Sequence, residues 1–527
     1  MKVKKVEGIE KYNAANLFVD RHVHQGRGDQ VALYYQDQQI TYRKVFEKVN
    51  QIGNALKDVG VNMEDRVMLL LLDCPEFVYS FFGAIKIGAV PIPTNTLLKP
   101  ADYEYLLNDS RAKVIVVSEE LLSNIATVQG KLKYLKHIIV VGKASEPFLS
   151  FGTLINNKST ELETADTGKD DPAFWLYSSG TTGSPKGTVH LQHDMAFCAE
   201  HFAKNVLKMT ENDRTFSVGR LFFAYGLGNS MFSPFYVGAS AILSPDRPTP
   251  EHLLKIIDQY KPTLFFGVPT SYTAILQLEG ATDNYDLSSI RHFFSSGEAL
   301  PTVIFERWLE KFKVELLDAI GSTEALHVFI CNMPGRVKAG STGQLVPGYE
   351  AKLIDEDGLI VSEGEVGNLM IKGDGIAAYY WNKHEKSKET FQGEWVNTGD
   401  RYYQDPDGYF WYVGRDDDML KSGGIWVSPN EVENALMVHP AVLETAVIGS
   451  SDVDGLIKPK AYVVLKDGYE SGSELASELT QFVKSSIAPY KFPRWIQFTL
   501  ELPRTASGKI QRFKLRELDN SNNSVPM

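Results

Sequence analysis

The chain has 527 residues, too many for a single hydrophobic core and enough for two or more domains. With 43% hydrophobic and 23% charged residues it has the composition of an ordinary globular protein. A formal net charge of −12 excludes broad, sequence-independent binding to nucleic acid or anionic lipid.

The opening stretch, MKVKKVEGIEKYNAANLF, is basic but lacks the apolar run of a secretory signal. Residues 67–93, VMLLLLDCPEFVYSFFGAIKIGAVPIP, form the most apolar region, yet Asp73, Pro75, Glu76 and Lys86 interrupt it. A membrane helix needs about 20 nearly unbroken apolar residues, so this region predicts a strand, a turn and a buried helix, with no membrane insertion. Further along, β-branched or aromatic runs alternate with helical patterns: AKVIVVS before EELLSNIATVQGKL, ASAILS before EHLLKIIDQY, PTLFFGV before SYTAILQLE. That alternation predicts parallel sheets covered by helices. After about Gly340, Asp-Gly turns between alternating strands (YEAKLIDEDGLIVSEGEVGNLMIKG and YYQDPDGYFWYVGR) predict hairpins. The aspartate run in RDDDML marks a boundary between a large domain, 1–415, and a small α/β domain, 416–527, whose polar tail DNSNNSVPM reads as disordered. The fold class is α/β: a large domain of parallel-type sheets with a β-rich subdomain, and a small mobile C-terminal domain.

Cys74, Cys198 and Cys331 are far apart and lack metal-ligand spacing, which suits reduced thiols in the cytoplasm. His190, His193 and His201 lack convergent ligands and read as helix and turn residues. No GxSxG nucleophile elbow is present.

The stretch YSSGTTGSPKG, residues 177–187, gathers hydroxyls and glycines around Lys186. Glycines let backbone N–H groups turn toward an anion, hydroxyls add donors, and a lysine supplies a point charge. The preceding DPAFWLY predicts a buried strand, which would put the loop where α/β folds present ligands. Gly180, Gly183 and Lys186 do not fit GxxxxGK[ST], and on composition alone a flexible linker also accounts for such a loop.

Four further segments follow in order: DAIGSTE (318–324), WVNTGD (395–400), YVGRDDDMLKSGG (412–424) and PRTASGKIQR (503–512). Together with the glycine loop they resemble the motif set of the adenylate-forming acyl-CoA synthetase superfamily. Within it, FWLYSSGTTGSPKG and RLFFAYGLGNSMFSPFYVGASAIL are most similar to the benzoate–CoA ligases. The resemblance implies an ATP-dependent ligase that makes an acyl-AMP from an aromatic carboxylic acid and passes the acyl group to coenzyme A, with Mg2+ as cofactor. It implies that Ser178, Ser179, Gly180, Thr181, Thr182, Gly183 and Lys186 hold the pyrophosphate end of ATP. Gly297, Glu298 and Ala299 would line the adenine, with Asp318, Ile320, Gly321, Ser322 and Thr323 continuing the nucleotide site. Glu324 would bind magnesium, Asp400 the ribose hydroxyls, an acceptor-only task, and Arg415 the ribose or a phosphate.

Lys509 matches the lysine of adenylation, bridging the attacking carboxylate and the α-phosphate. Lys421, with Ser422, Gly423 and Gly424, matches the segment used for thioester formation and CoA, with Asp417 as the hinge between two domain orientations. Lys421 is also compatible with CoA phosphate binding or plain surface. Ala224, Tyr225, Gly321, His327 and Val328 would shape a flat slot for the ring. An adenylating enzyme that loads a carrier-protein thiol, a medium-chain acyl-CoA synthetase and an inactive nucleotide-binding protein are the alternatives. The chain is expected to be a monomer or homodimer.

Overall fold

A computed structural model describes residues 11–180, 183–416, 418–422, 425–452, 457–487, 491–505 and 509–523. The alternating strand and helix runs form two largely parallel sheets. In the first, Val90–Pro93, Arg66–Leu70, Val114–Ser118, His137–Val141 and Leu149–Ser150 all pair in parallel. The helix Pro75–Lys86 connects two of these strands and buries every residue except Glu76, which is why its sequence is apolar all round. Among the described residues no helix is long and apolar enough to cross a membrane.

The second sheet has nine strands, with a parallel centre running from Leu316–Gly321 through His292–Ser295, Leu264–Gly267, Arg214–Ser217 and Ser240–Leu243 to Val31–Tyr35. Antiparallel strands close both edges, Val328–Cys331 beside Leu316–Gly321 and Gln38–Thr41 beside Val31–Tyr35. Leu264–Gly267 and Ser240–Leu243 are buried throughout, as strands covered on both faces must be. Their crossover helix Pro250–Tyr260 starts with proline at its first position and with Thr249 Oγ1 accepting the His252 N–H. A second helix, Thr302–Phe312, sends Trp308 wholly into the core between the rings of Tyr272 and Phe293, 4.8 and 5.2 Å away.

The glycine loop does not sit at a strand–helix junction of either sheet. Pro172–Gly180 and Gly183–Leu191 are antiparallel partners with Gly180 opposite Gly183, and Tyr379–Tyr380 adds a third strand. Two residues between strand ends can join only antiparallel neighbours, so the loop is a hairpin tip. Beyond it lies the expected β-rich region, where Glu350–Ile354, Gly367–Lys372, Trp395–Gln404 and Phe410–Arg415 pair antiparallel in succession.

The small C-terminal domain is built on Val442–Ser451, Ile457–Leu465 and Trp495–Phe498, with the helices Pro429–Met437, Ser473–Ser486 and Arg512–Asn523. Here the expected disordered tail is corrected. The last helix continues through most of the polar segment because Asp519 is buried and accepts from Ser450 Oγ and Lys460 Nζ. At its other end Arg512 makes a two-pronged contact with Glu433, both oxygens 2.8 Å from Nη2.

Candidate active site

The turn after the strand Leu316–Gly321 carries Glu324, and side chains from two other elements reach its carboxylate. Tyr380 Oη donates to Glu324 Oε1 at 2.6 Å, and Ser178 Oγ from the glycine-loop hairpin stands 3.5 Å from the same oxygen. Lys186 Nζ lies 3.4 Å from Tyr380 Oη and 4.4 Å from the centre of its ring. Burial lowers the pKa of Lys186, against the pull of Glu324. The backbone of the turn is also tied down. Ser322 Oγ accepts the Ala325 N–H at 3.1 Å, and the Glu324 carbonyl accepts the Ala377 N–H at 2.8 Å.

Behind this turn lies His190, wholly buried, with Nε2 2.8 Å from the Thr323 carbonyl and Nδ1 2.8 Å from Asp194 Oδ2. Its expected assignment to a helix or turn is therefore corrected: it belongs to the strand Gly183–Leu191, where alternation points it inward. His193 does occupy a turn, hydrogen-bonded to the carbonyls of Lys169 and Asp374, and His201 is helical.

Asp400 and Arg415 face each other across adjacent strands. Arg415 Nη1 is 3.2 Å from Asp400 Oδ1 and 3.1 Å from the Thr398 carbonyl. Burial raises the pKa of Asp400, while Arg415 and then Lys509 draw it down. Arg415 also lowers the pKa of Lys186, by less than burial does. Asp318, one strand away from Ser295, is buried and desolvation holds its carboxyl well above the usual range.

Lys509 is exposed; the Thr505 N–H donates to its carbonyl at 2.7 Å, and its own N–H donates to Thr505 Oγ1 at 3.1 Å. The next residue docks it: the Ile510 N–H donates to Glu298 Oε1 at 2.9 Å, and Arg504 Nη1 is 3.6 Å from the same oxygen. Glu298 thus joins the segment that follows the strand His292–Ser295 to the C-terminal domain. Gly297, with φ +95°, makes the turn just before it.

Across the antiparallel ladder Gly321 faces Val328, and Ile320 faces Ile330. A Cβ on Gly321 would meet the His327 carbonyl at 2.5 Å, and one on Gly228 would meet the His327 ring at 2.2 Å, so both positions require glycine. The Tyr225 ring stacks on His327 with centroids 6.2 Å apart, and Tyr225 Oη donates to the Gly267 carbonyl at 3.2 Å. Ala224 opens the short helix that carries Tyr225. Burial pushes the His327 imidazole down to about 3, offset in part by the Tyr225 backbone, so this wall is uncharged. Together these residues pack into an aromatic wall beside the Glu324 turn.

Some expected residues are not brought into this description. Thr181, Thr182, Asp417, Gly423 and Gly424 lie outside the described residues. Ser179, Gly180 and Gly183 end the two hairpin strands, and Lys421 and Ser422 lie on Leu420–Ser422, a strand paired with Ile425–Val427. Tyr380 and His190 are the site residues that sequence reasoning missed. Tyr380 follows an unremarkable GIAAY, and His190 carried the signal of a buried polar group in a strand, which was read as a turn.

A model of the AMP-binding enzyme family matches residues 19–381, and one of the AMP-binding enzyme C-terminal domain matches 431–509. The chain is 48% identical over 509 residues to a benzoate–CoA ligase of Thauera aromatica, covering 96% of each. It superposes on a crystal structure of an anthranilate CoA ligase in complex with anthranoyl-AMP with a TM-score of 0.94, 46% identity and 98% of each chain covered. A benzoate CoA ligase from Burkholderia xenovorans gives a TM-score of 0.88 at 43% identity, over 96% of this chain and 100% of that one.

Proposed function

Because the chain belongs to the AMP-binding enzyme family, we propose that it is an AMP-forming aryl-CoA ligase. It joins benzoate or a small substituted benzoate to the α-phosphate of ATP, releasing pyrophosphate. It then exchanges AMP for the thiol of coenzyme A. One observation carries the reading: Glu324, met by Tyr380 Oη and Ser178 Oγ, stands three residues before His327, whose buried ring stacks on Tyr225, which would set a nucleotide cradle beside an aromatic wall.

A carboxylate attacking a triphosphate brings negative charge against negative charge, so preorganised cations are the main requirement. In this reading Ser178 and Lys186 hold the pyrophosphate end, and the Thr323 hydroxyl meets the α-phosphate. The buried Asp400 accepts from the ribose hydroxyls while Arg415 fixes its orientation. Lys509 bridges the attacking carboxylate and the α-phosphate as the bond forms. Glu324 fits a magnesium ion carried by the nucleotide, since its carboxylate is a hard oxygen donor that meets hydroxyls. No group of three or more metal-binding side chains occurs among the described residues, so the phosphates would complete the shell. Bound there, magnesium would offset triphosphate charge.

We assign residues 1–415 to the adenylation domain and 416–527 to a domain that turns about Asp417, exchanging Lys509 for the Lys421–Gly424 segment, where Ser422, Gly423 and Gly424 pass the CoA arm. The enzyme works in the cytoplasm, in keeping with three buried free thiols.

The test is CoA-dependent AMP formation across benzoate, amino-, hydroxy- and fluorobenzoates and hexanoate, for the parent and for Ala224→Leu. Benzoates should lead, and the leucine should cut benzoate kcat/KM while pyrophosphate exchange with a smaller acid survives. A parent that prefers hexanoate, or that needs a carrier protein in place of CoA, overturns the reading.

A further inference from the structure

Tyr380 stands between two opposite charges that do not touch. Its hydroxyl donates to Glu324 Oε1 at 2.6 Å and receives Lys186 Nζ at 3.4 Å. No direct ion pair joins Lys186 to Glu324 among the described residues, although each feels the other's field. A phenol suits this position because one O–H group both donates and accepts. The ring cannot swing away easily. The strand Tyr379–Tyr380 pairs with Gly183–Leu191, the Tyr380 N–H donates to Ser387 Oγ at 3.0 Å, and the ring packs 5.1 Å from Phe391. Only 3% of the residue is exposed.

We propose that Tyr380 is a positioning residue, a spacer that holds Lys186 and Glu324 apart so that each charge stays open to MgATP. The proposal rests on the ligase reading for the identity of that ligand. Without the hydroxyl, the lysine and the carboxylate are free to collapse into a contact pair in a half-buried site, where their attraction exceeds that in bulk water. MgATP would then have to break that pair before the lysine could meet phosphate or the carboxylate could meet the metal. Tyr380 touches both groups yet needs no contact with the reacting atoms.

The experiment is calorimetric titration of the full chain with magnesium and a non-hydrolysable ATP analogue, for the parent, Tyr380→Phe, Glu324→Gln and the double variant. Tyr380→Phe keeps the ring and should raise the Kd about tenfold, the scale of a hydrogen bond to a charged group. The KM for the aryl acid and the reaction of pre-formed aryl adenylate with CoA should match the parent, which also shows that the variant is folded. In the Glu324→Gln background the tyrosine change should cost little, because no carboxylate remains for Lys186 to collapse onto. An unchanged Kd in Tyr380→Phe overturns the proposal. So does an equal loss in both backgrounds, which would mean that the phenol acts on the nucleotide itself. A parent that binds MgATP but activates no aryl acid sinks the ligase reading and leaves this comparison intact.

Discussion

Glu324 and Lys509 are both charged groups of the proposed site, and they are held in different ways. Glu324 sits on a turn whose carbonyls are gripped from behind by the buried His190 and by the Ala377 N–H. Lys509 is exposed on the small domain, and beside it the Ile510 N–H and Arg504 reach Glu298 of the large one. A group needed throughout the reaction can be built into the core. A group that must come and go has to be held by few, polar, separable contacts, because core packing would make withdrawal too costly. The polar contacts beside Lys509 are in keeping with the proposed division of labour, while the two domains also share a hydrophobic cluster that includes Ile304, Trp308, Leu420 and Leu436.

Lys509→Ala puts the sharpest strain on that contrast. Adenylation, followed as pyrophosphate exchange, should fall about 10²-fold or more, the scale for one preorganised electrostatic contact. Conversion of pre-formed aryl adenylate by CoA should stay near the parental rate, and equal damage to both steps would erase the distinction. On the fixed side, His190→Ala leaves Asp194 buried without its ring and the Thr323 carbonyl without its donor. A loss of about 3 kcal/mol in unfolding free energy is expected, with a raised KM for MgATP and an unaltered KM for CoA. Denaturant titration and steady-state kinetics together check this, and an unperturbed stability would show that the turn does not depend on its buried support.

Glu298→Ala probes the dock itself. Losing one interdomain carboxylate should slow adenylation about tenfold while leaving the CoA step unaffected. A loss in the CoA step instead would assign Glu298 to the nucleotide, as the sequence motif suggested. The smallest effect expected is on pH dependence. Burial holds His327 at about 3 and His22 and His292 at about 4 in the folded chain, against an ordinary 6.5 when unfolded. Below about pH 6.5 the unfolded chain binds protons that the folded chain refuses, so stability falls as pH drops toward 4. Asp73, raised to about 6, works the other way over part of that window, since the folded chain protonates it first. The buried Asp318 and Asp400, also raised, act in the same sense as Asp73, so the test isolates one histidine: His327→Leu should lessen the loss of urea midpoint between pH 6.5 and 4.

Most of the architecture was legible because it is written locally. Apolar strand runs followed by proline-led helices announced the parallel sheets, and Asp-Gly turns announced the β-rich region. Asp400 and Arg415 were nameable from their motifs, and the structure sets them opposite each other on paired strands. What escaped was non-local. His190 meets Thr323 across 133 positions, and Tyr380 meets Lys186 across 194, so no window of sequence contains either relation. The placement of the glycine loop escaped for a different reason: only two residues separate the strand ends Gly180 and Gly183, which makes those strands antiparallel neighbours and not a strand–helix junction. The polar tail misled in the same way, because Asp519 looks like solvent-facing chain until Ser450 and Lys460 are seen around it.

That last helix also sets an order of events. Arg512–Asn523 clasps Glu433 at one end and the Ser450–Lys460 pair of strands at the other, so the small domain cannot close before the helix exists. Synthesis runs from the N-terminus, and domains fold as their residues emerge. The cradle that contains Glu324 and Asp400 can be complete while the helix is still being made, and the lysine beside it is seated last. On the proposed division of labour, a half-made chain would present its nucleotide cradle before Lys509 arrives to act there.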